Sequence, residues 1–308
     1  MTKKISFMFS VLLIALTISG CAAQGVGITQ GAIALEDGLQ RTVTLEEPAQ
    51  RIVSLAPSVT EILFAVGAGE QVVGRDSFSN YPPEASGIQD VGGSMGEYSI
   101  ETIASLEPDL VIAAEINTPE QVSALEKMGL TVYYLANPVE VAGIYDMLQT
   151  VGVLSGHQAE AEALNDSLQQ RVEQVKLTIE KATTRPLVFY ELDGTDPAKP
   201  WTPGPGNFLD ELIRTAGGEN VGAGLQSSWA QISVEELLVQ DPDIILLGDS
   251  IYGMTSDQVA ARAGWDGLTA LDEGRVYEFN DDLVSRPGPR LVDGLEELAK
   301  LIHPELYK

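Results

Sequence analysis

Residues 92–96 read Gly-Gly-Ser-Met-Gly and satisfy G-x-S-x-G, the spacing that exposes a serine hydroxyl on a sharp strand-to-helix turn, and His303 follows late enough to act as its base. The flanks argue against that chemistry. Residues 87–90 are poor strand material and the next helix start is Ser99, so Ser94 lacks both sides of the turn and belongs to a glycine-rich loop. A first-row metal site is not expected either. His157 and His303 stand far apart and Cys21 is the single cysteine, whereas such sites gather nitrogen and sulfur ligands. Both histidines are expected on the surface, His157 heading a helix and His303 in the C-terminal tail. Gly204-Pro205-Gly206 lacks the Lys and Ser or Thr of a phosphate-binding loop and reads as a turn before a helix capped by Asn207. No enzymatic activity is expected of this chain.

Two glutamates sit in a more informative pattern. SIETIASLEPDLVI over 99–112 is repeated as SVEELLVQDPDIIL over 233–246. In each copy a serine, Ser99 or Ser233, is placed to cap a helix, and Glu101 or Glu235 lies against the positive end of its dipole. Pro108 and Pro242 close the helices, and a β-branched run follows that reads as a buried parallel strand. One αβ unit used twice predicts two similar lobes, each presenting an acidic helix start.

The elements that must carry these residues follow from periodicity. From Arg51 the chain reads as a strand, a Pro-Ser turn into a helix, Gly67 and Gly69 to end it, and a second strand. Further alternation includes a helix around 121–128, a strand at 132–135 and a helix after Pro138, which together make a small doubly wound lobe. Between 158 and 183, Leu164, Leu168, Val172, Val175 and Ile179 fall at helical spacing in a polar stretch free of Gly and Pro. Such a helix spans roughly 35 to 40 Å, enough to bridge two lobes, and as one rod it should permit little closure. A second lobe then runs through the strand at 187–190, the helix at 207–215, the second repeat copy, a strand at 275–279 and a last helix at 290–302. The fold class is α/β, two Rossmann-like doubly wound lobes joined by one long α-helix.

Lys3 and Lys4 precede an apolar stretch too short for a comfortable membrane span, and residues 16–21, Leu-Thr-Ile-Ser-Gly-Cys, resemble the bacterial lipoprotein box. That resemblance implies cleavage before Cys21 and lipidation of its sulfur. The expected order is a signal peptide over 1–20, lipidated Cys21 with a flexible tether over 21–38, the N-terminal lobe over 39–156, the connecting helix over 157–184 and the C-terminal lobe over 185–308. The protein would lie outside the cytoplasm, held to the membrane by its lipid anchor alone. With 45 Asp and Glu against 18 Lys and Arg the formal charge is −27, which serves solubility and argues against nucleic acid or an anionic lipid surface as partner.

Several passages, RTVTLEEPAQRIVSLAPSVTEILFAVG, SFSNYPPEA, both repeat copies, GNFLDELIRTAGGENV and SRPGPRLVDGLEELAKLIHPE, resemble the class III substrate-binding proteins of bacterial ABC importers, the cobalamin, haem and ferric-siderophore group. The resemblance runs from Leu39 to the C-terminus. It implies a ligand held between the lobes, a partner composed of a permease dimer with its ATPase subunits, and a monomeric protein. It also implies that Glu101 and Glu235 pair with arginines of the permease, a bidentate contact that would set docking register.

Ligand-contacting residues should lie on loops at the carboxyl ends of the strands. Those loops carry Phe78, Tyr81, Met95, Tyr98, Trp201, Trp229, Tyr252 and the stretch 281–286 with Asp281, Asp282 and Arg286. Aromatic rings there offer flat apolar surfaces for a large ligand, although each could equally be an interface core residue. DSFSNYPP and SSWAQIS resemble the cobalamin-binding branch, in which aromatics at the positions of Phe78 and Trp229 line the corrinoid pocket. Haem would need an axial donor from Tyr98, Tyr252 or Met95. An anionic ferric siderophore would favour several arginines, and Arg75, Arg286 and Arg290 are the candidates. A corrinoid, larger and nearly neutral, fits an acidic cleft poor in arginine best, with Asp281, Asp282 and Arg286 placed to bond its amide side chains, unless Arg286 simply pairs with a neighbouring Asp. No cofactor other than this transported ligand is expected.

Overall fold

A computed structural model of the chain describes residues 32–93 and 97–307. The chain enters by a hairpin of β1 (Ile33–Glu36) and β2 (Thr42–Leu45). It then builds the N-terminal lobe from β3 (Ile52–Ser54), α1 (Pro57–Ala65), β4 (Val72–Arg75), β5 (Gln89–Asp90), α2 (Ile100–Ser105), β6 (Leu110–Ala114), α3 (Pro119–Lys127), β7 (Val132–Leu135) and α4 (Gly143–Ser155). The strands form a parallel sheet in the order β5-β4-β3-β6-β7. Ile52, Leu110 and Ile112 bury one face of it against α1 and α4, and Val53, Val111 and Ala113 bury the other. A parallel sheet covered on both faces needs such continuous apolar runs.

A single helix, α5 (Gln158–Ile179), leads to the second lobe. Its 22 residues give a length of roughly 33 Å, slightly shorter than the periodicity suggested, because the helix ends at Ile179. α5 packs closely on α4 because Gly152 has no side chain: a Cβ there would lie 2.6 Å from that of Ala161. Toward the other lobe, Arg171 on α5 binds Asp293 at 2.6 Å and Glu296 at 2.9 Å. Glu296 is held below its usual carboxylate range chiefly by that guanidinium.

The C-terminal lobe comprises β8 (Leu187–Glu191), β9 (Trp201–Pro203), α6 (Phe208–Thr215), β10 (Glu219–Asn220), β11 (Trp229–Gln231), α7 (Val234–Gln240), β12 (Ile244–Leu247), α8 (Ser256–Ala260), α9 (Thr269–Asp272), β13 (Val276–Glu278) and α10 (Leu291–Ile302). Its parallel sheet runs β10-β8-β12-β13, and β9 with β11 makes a separate antiparallel ribbon.

The repeated unit folds as expected in both lobes. Ser99 Oγ accepts from Thr102 N and Ser233 Oγ from Glu236 N. The strands that follow, β6 and β12, lie inside their sheets, each between two neighbours. The repeated Pro-Asp also ties the sheet together. Asp109 accepts from the backbone N–H of Gln50 and Arg51 at 2.8 Å, at the start of β3. Asp243 accepts from Leu187 N at 2.7 Å, at the start of β8.

Three expectations need correction. Residues 33–38, assigned to a flexible tether, belong to the folded body: Ile33 and Leu35 pack on the core, and Asp37 accepts from the backbone N–H of Leu39 and Arg41 at 3.0 Å to shape the turn. Gln89–Asp90 does form a strand, a short edge whose pairing to Gly74 and Arg75 compensates for weak propensity. His303 is not a surface residue. It is 1% exposed, because α10 ends against the turn before β10 and the imidazole bonds Gly217 O at 3.2 Å and Glu305 at 3.0 Å. The signal peptide, Cys21, Ser94 and Met95 lie outside the described residues, among which no helix is long and apolar enough to cross a membrane.

Candidate functional site

Parallel strands send all their carboxyl ends to one edge of each sheet, and both edges carry exposed aromatic rings. On the N-terminal lobe the loop after β4 bears Phe78 and Tyr81, each 43% exposed. A buried polar network fixes this loop. Asp76 accepts from Phe78 N at 3.1 Å and from the Ser79 hydroxyl, Thr60 bonds Ser54 at 2.8 Å and Ser79 at 2.7 Å, and Arg75 donates to Asp76 O at 2.9 Å. The rings are therefore presented by a rigid backbone, as a preorganised binding surface requires.

On the C-terminal lobe the aromatic surface is the ribbon. Trp229 pairs with Pro203 and Trp201 with Gln231, so both indoles lie on one face of the ribbon. Phe208 braces Trp229 edge to face at 6.2 Å. Gly204 lets the ribbon close, since a Cβ there would collide with Ser227 O, and Asn207 does cap α6, accepting from Asp210 N at 2.9 Å. Tyr252, on the turn after β12, is 81% exposed. Tyr98 is placed differently: its hydroxyl donates to Leu55 O at 2.8 Å and accepts from Asn117 at 2.7 Å, within the N-terminal lobe.

The polar part of the site joins the two edges. Arg286 binds Asp282 at 2.8 Å, and also reaches the other lobe, where it donates to Asn80 at 2.8 Å and Glu61 at 3.1 Å. Arg290 donates to the same Glu61 at 2.5 and 2.7 Å and lies 4.0 Å over the Tyr81 ring. Glu61 is a residue that sequence reasoning missed. A lone acid among the apolar residues of α1, in PSVTEILFA, signals a buried charge in need of a partner, and the four-residue spacing of Arg286 and Arg290 could have supplied it. The 281–286 loop is fixed from below by Tyr190, whose hydroxyl donates to Asp281 at 2.7 Å. Burial pushes the Asp281 carboxyl up.

A second buried charge cluster lies beneath the C-terminal edge. Glu191, the last residue of β8, is paired with Arg262 at 2.5 and 2.9 Å. Burial still pushes its pKa up to about 6, the Arg262 pairing only partly offsetting it, and Asp249 beside it adds to the rise. Burial also raises Asp249.

Glu101 and Glu235 are exposed in the first turns of α2 and α7. Each helix begins where the chain has crossed the carboxyl edge of its own sheet: Ser99 N donates to Val91 O just beyond β5, and Ser233 follows the ribbon. Both glutamates therefore stand on the same edge as the aromatic loops. His303 stands at the opposite end of the C-terminal sheet, at Gly217, away from the aromatic loops of both lobes. Among the described residues no group of His, Cys, Asp and Glu is arranged to hold a metal ion.

A family profile described as periplasmic binding protein matches residues 52–283. The uncharacterised ABC transporter substrate-binding lipoprotein YvrC of Bacillus subtilis (strain 168) is 30% identical over 324 aligned positions, which take in 100% of both chains. A cobalamin-binding protein of Halobacterium salinarum is 30% identical over 275 positions, 87% of this chain and 73% of that one. Among solved structures, the periplasmic haem-binding protein RhuT from Roseiflexus sp. RS-1 superposes with a TM-score of 0.75 at 28% identity, covering 84% of this chain and 99% of that one.

Proposed function

The chain belongs to the periplasmic binding protein family, and on that premise we propose that it captures a corrinoid outside the cytoplasm and delivers it to an ABC importer. The observation that carries the ligand reading is the pairing of Arg286 and Arg290. Their guanidinium groups are bound by Glu61, Asp282 and Asn80, so the edges between the lobes offer aromatic faces rather than unpaired cations. Phe78 and Tyr81 on one side and Trp201, Trp229 and Tyr252 on the other suit a large, flat and nearly neutral ligand. Asp282, whose side chain is 25% exposed, can accept from an amide. The name of the Halobacterium relative supports the same choice.

Titration of the protein lacking its first 21 residues against cyanocobalamin, haemin and a ferric hydroxamate, followed by tryptophan fluorescence and calorimetry, tests this. Cyanocobalamin binding at micromolar or tighter, roughly −8 kcal/mol, with the other two silent is the expected result. A haemin response alone would favour the second reading, haem carriage, which the resemblance to RhuT and the exposed phenol of Tyr252 support.

Delivery falls to Glu101 and Glu235, one on each lobe, as partners for permease arginines. Reversing both charges should abolish uptake while ligand affinity stays within a few-fold; undiminished uptake would remove the docking role. Anchoring through a lipid on Cys21 and a monomeric state complete the proposal, with palmitate labelling and analytical ultracentrifugation as the checks.

A further inference from the structure

Glu61 is 2% exposed and Arg290 9% exposed, yet they belong to different lobes, and Arg286, four residues before Arg290, reaches Glu61 as well. The cluster holds two carboxylates, Glu61 and Asp282, and two guanidiniums, Arg286 and Arg290, so its charges sum to zero. Its members hold the aromatic loops directly. Asn80, bonded to Arg286, lies between Phe78 and Tyr81 in sequence, and Arg290 stacks on Tyr81 itself. A buried acid with two arginines is a costly arrangement unless every contact is made, and in this chain Glu61 makes a contact with both.

We propose that Glu61 is a positioning residue that sets ligand specificity by charge: it neutralises Arg286 and Arg290 at the junction of the lobes and so denies a cationic anchor to anionic ligands. The proposal rests on the cleft reading above and goes beyond it, because it identifies what the site rejects. Neutralising Glu61 leaves one positive charge uncompensated beneath the aromatic walls. Beside the cluster lies a cavity of about 350 Å³ lined by Glu61, Tyr81, Leu164, Leu168, Arg290 and Asp293 among others. That space gives an unpaired guanidinium room and access to water.

The test compares haemin, which carries two carboxylates, with haemin dimethyl ester, which carries none, on the wild-type protein and on Glu61→Gln. The expected result is that the variant binds haemin at least tenfold more tightly than the wild type does, from a wild type silent to haemin if the corrinoid reading holds, while the ester gains nothing, and that the gain shrinks as salt is added. A merely structural role would strengthen neither probe, and a folded variant that gains no haemin affinity over the ester overturns the proposal. Should Glu61→Gln not fold, Asp282→Asn at the more exposed acid of the same cluster leaves the same single positive charge through Arg286 and should raise haemin affinity over the ester likewise, the lack of any such gain again overturning the proposal. Amide hydrogen exchange without any probe gives a second arm. Faster exchange at 78–81 and 281–290 in the variant is expected, and unaltered exchange there overturns the positioning role of Glu61. Cyanocobalamin binding by the wild type is measured separately, so failure of the corrinoid reading leaves both arms standing.

Discussion

The two copies of the repeated unit share their caps, their closing proline and their sheet tie, but the interiors beside them differ. Glu107 and Asp241, the residues before the prolines, even adopt the same left-handed backbone, with φ of 47° and 48°. β3 and β8 hold equivalent places in the two sheets, each pairing with the strand of the repeat. β3 ends in Ser54 and a network of hydroxyls reaching Asp76 through Ser79. β8 ends in Glu191, a buried ion pair with a second acid alongside. Duplicated local structure thus leaves the chemistry beneath each carboxyl edge free to diverge, and in the C-terminal lobe burial raises the acid that ends the strand.

The largest test of that contrast is Arg262→Met. It strands Glu191 in the interior and should cost about 3 to 5 kcal/mol in urea unfolding, whereas Thr60→Val in the hydroxyl network should cost about 1 to 3 kcal/mol. Equal losses would erase the distinction. Next comes pH. Glu191 is raised from 4.5 to about 6, so the folded state binds its proton more tightly than the unfolded chain does. Its contribution is fully present below pH 4.5, is lost as pH rises through 6, and amounts to about 2 kcal/mol. Asp249→Asn removes the neighbouring acid, so the difference in stability between variant and wild type should grow in the variant's favour from pH 4.5 to 7. A difference that stays flat with pH would mean that the two carboxyls do not interact.

Smaller effects probe the likeness rather than the contrast. Asp109→Ala and Asp243→Ala each remove a charged acceptor at the start of a strand, and each should lose about 1.5 to 3 kcal/mol. Losses that differ several-fold would show that one sheet depends on its tie and the other does not. Ser99→Ala and Ser233→Ala should each cost about 1 kcal/mol by denaturant midpoint, again alike if the repeat behaves as a unit.

Most of the fold was legible because it rests on local rules. Ser99, Ser233 and Asn207 cap the helices expected of them, and the strand at 132–135 is bounded as its apolar run requires. The entry hairpin was missed because Ile33 and Leu35 acquire their meaning only against β2 and the core. The site was legible as loops and not as contacts. Phe78, Tyr81 and Tyr252 lie on loops as expected, Trp201 and Trp229 lie on the two strands of a ribbon instead, and all five are exposed, whereas Tyr98 bonds inward. Glu61 and Arg286 stand 225 positions apart, and no spacing rule reaches that far. Glu191 with Arg262 was hidden for the same reason.

The passage of the chain between lobes along α5 makes rotational phase a property of the sequence. A helix turns about 100° per residue, so deleting one residue from the exposed middle of α5 would rotate one lobe against the other about the helix axis by that angle. Such a deletion would sever Glu61 from Arg286 and Arg290, although neither sheet would lose a residue. The residue count of this one helix thus acts as a gauge, keeping the acid of one lobe in register with the two arginines of the other.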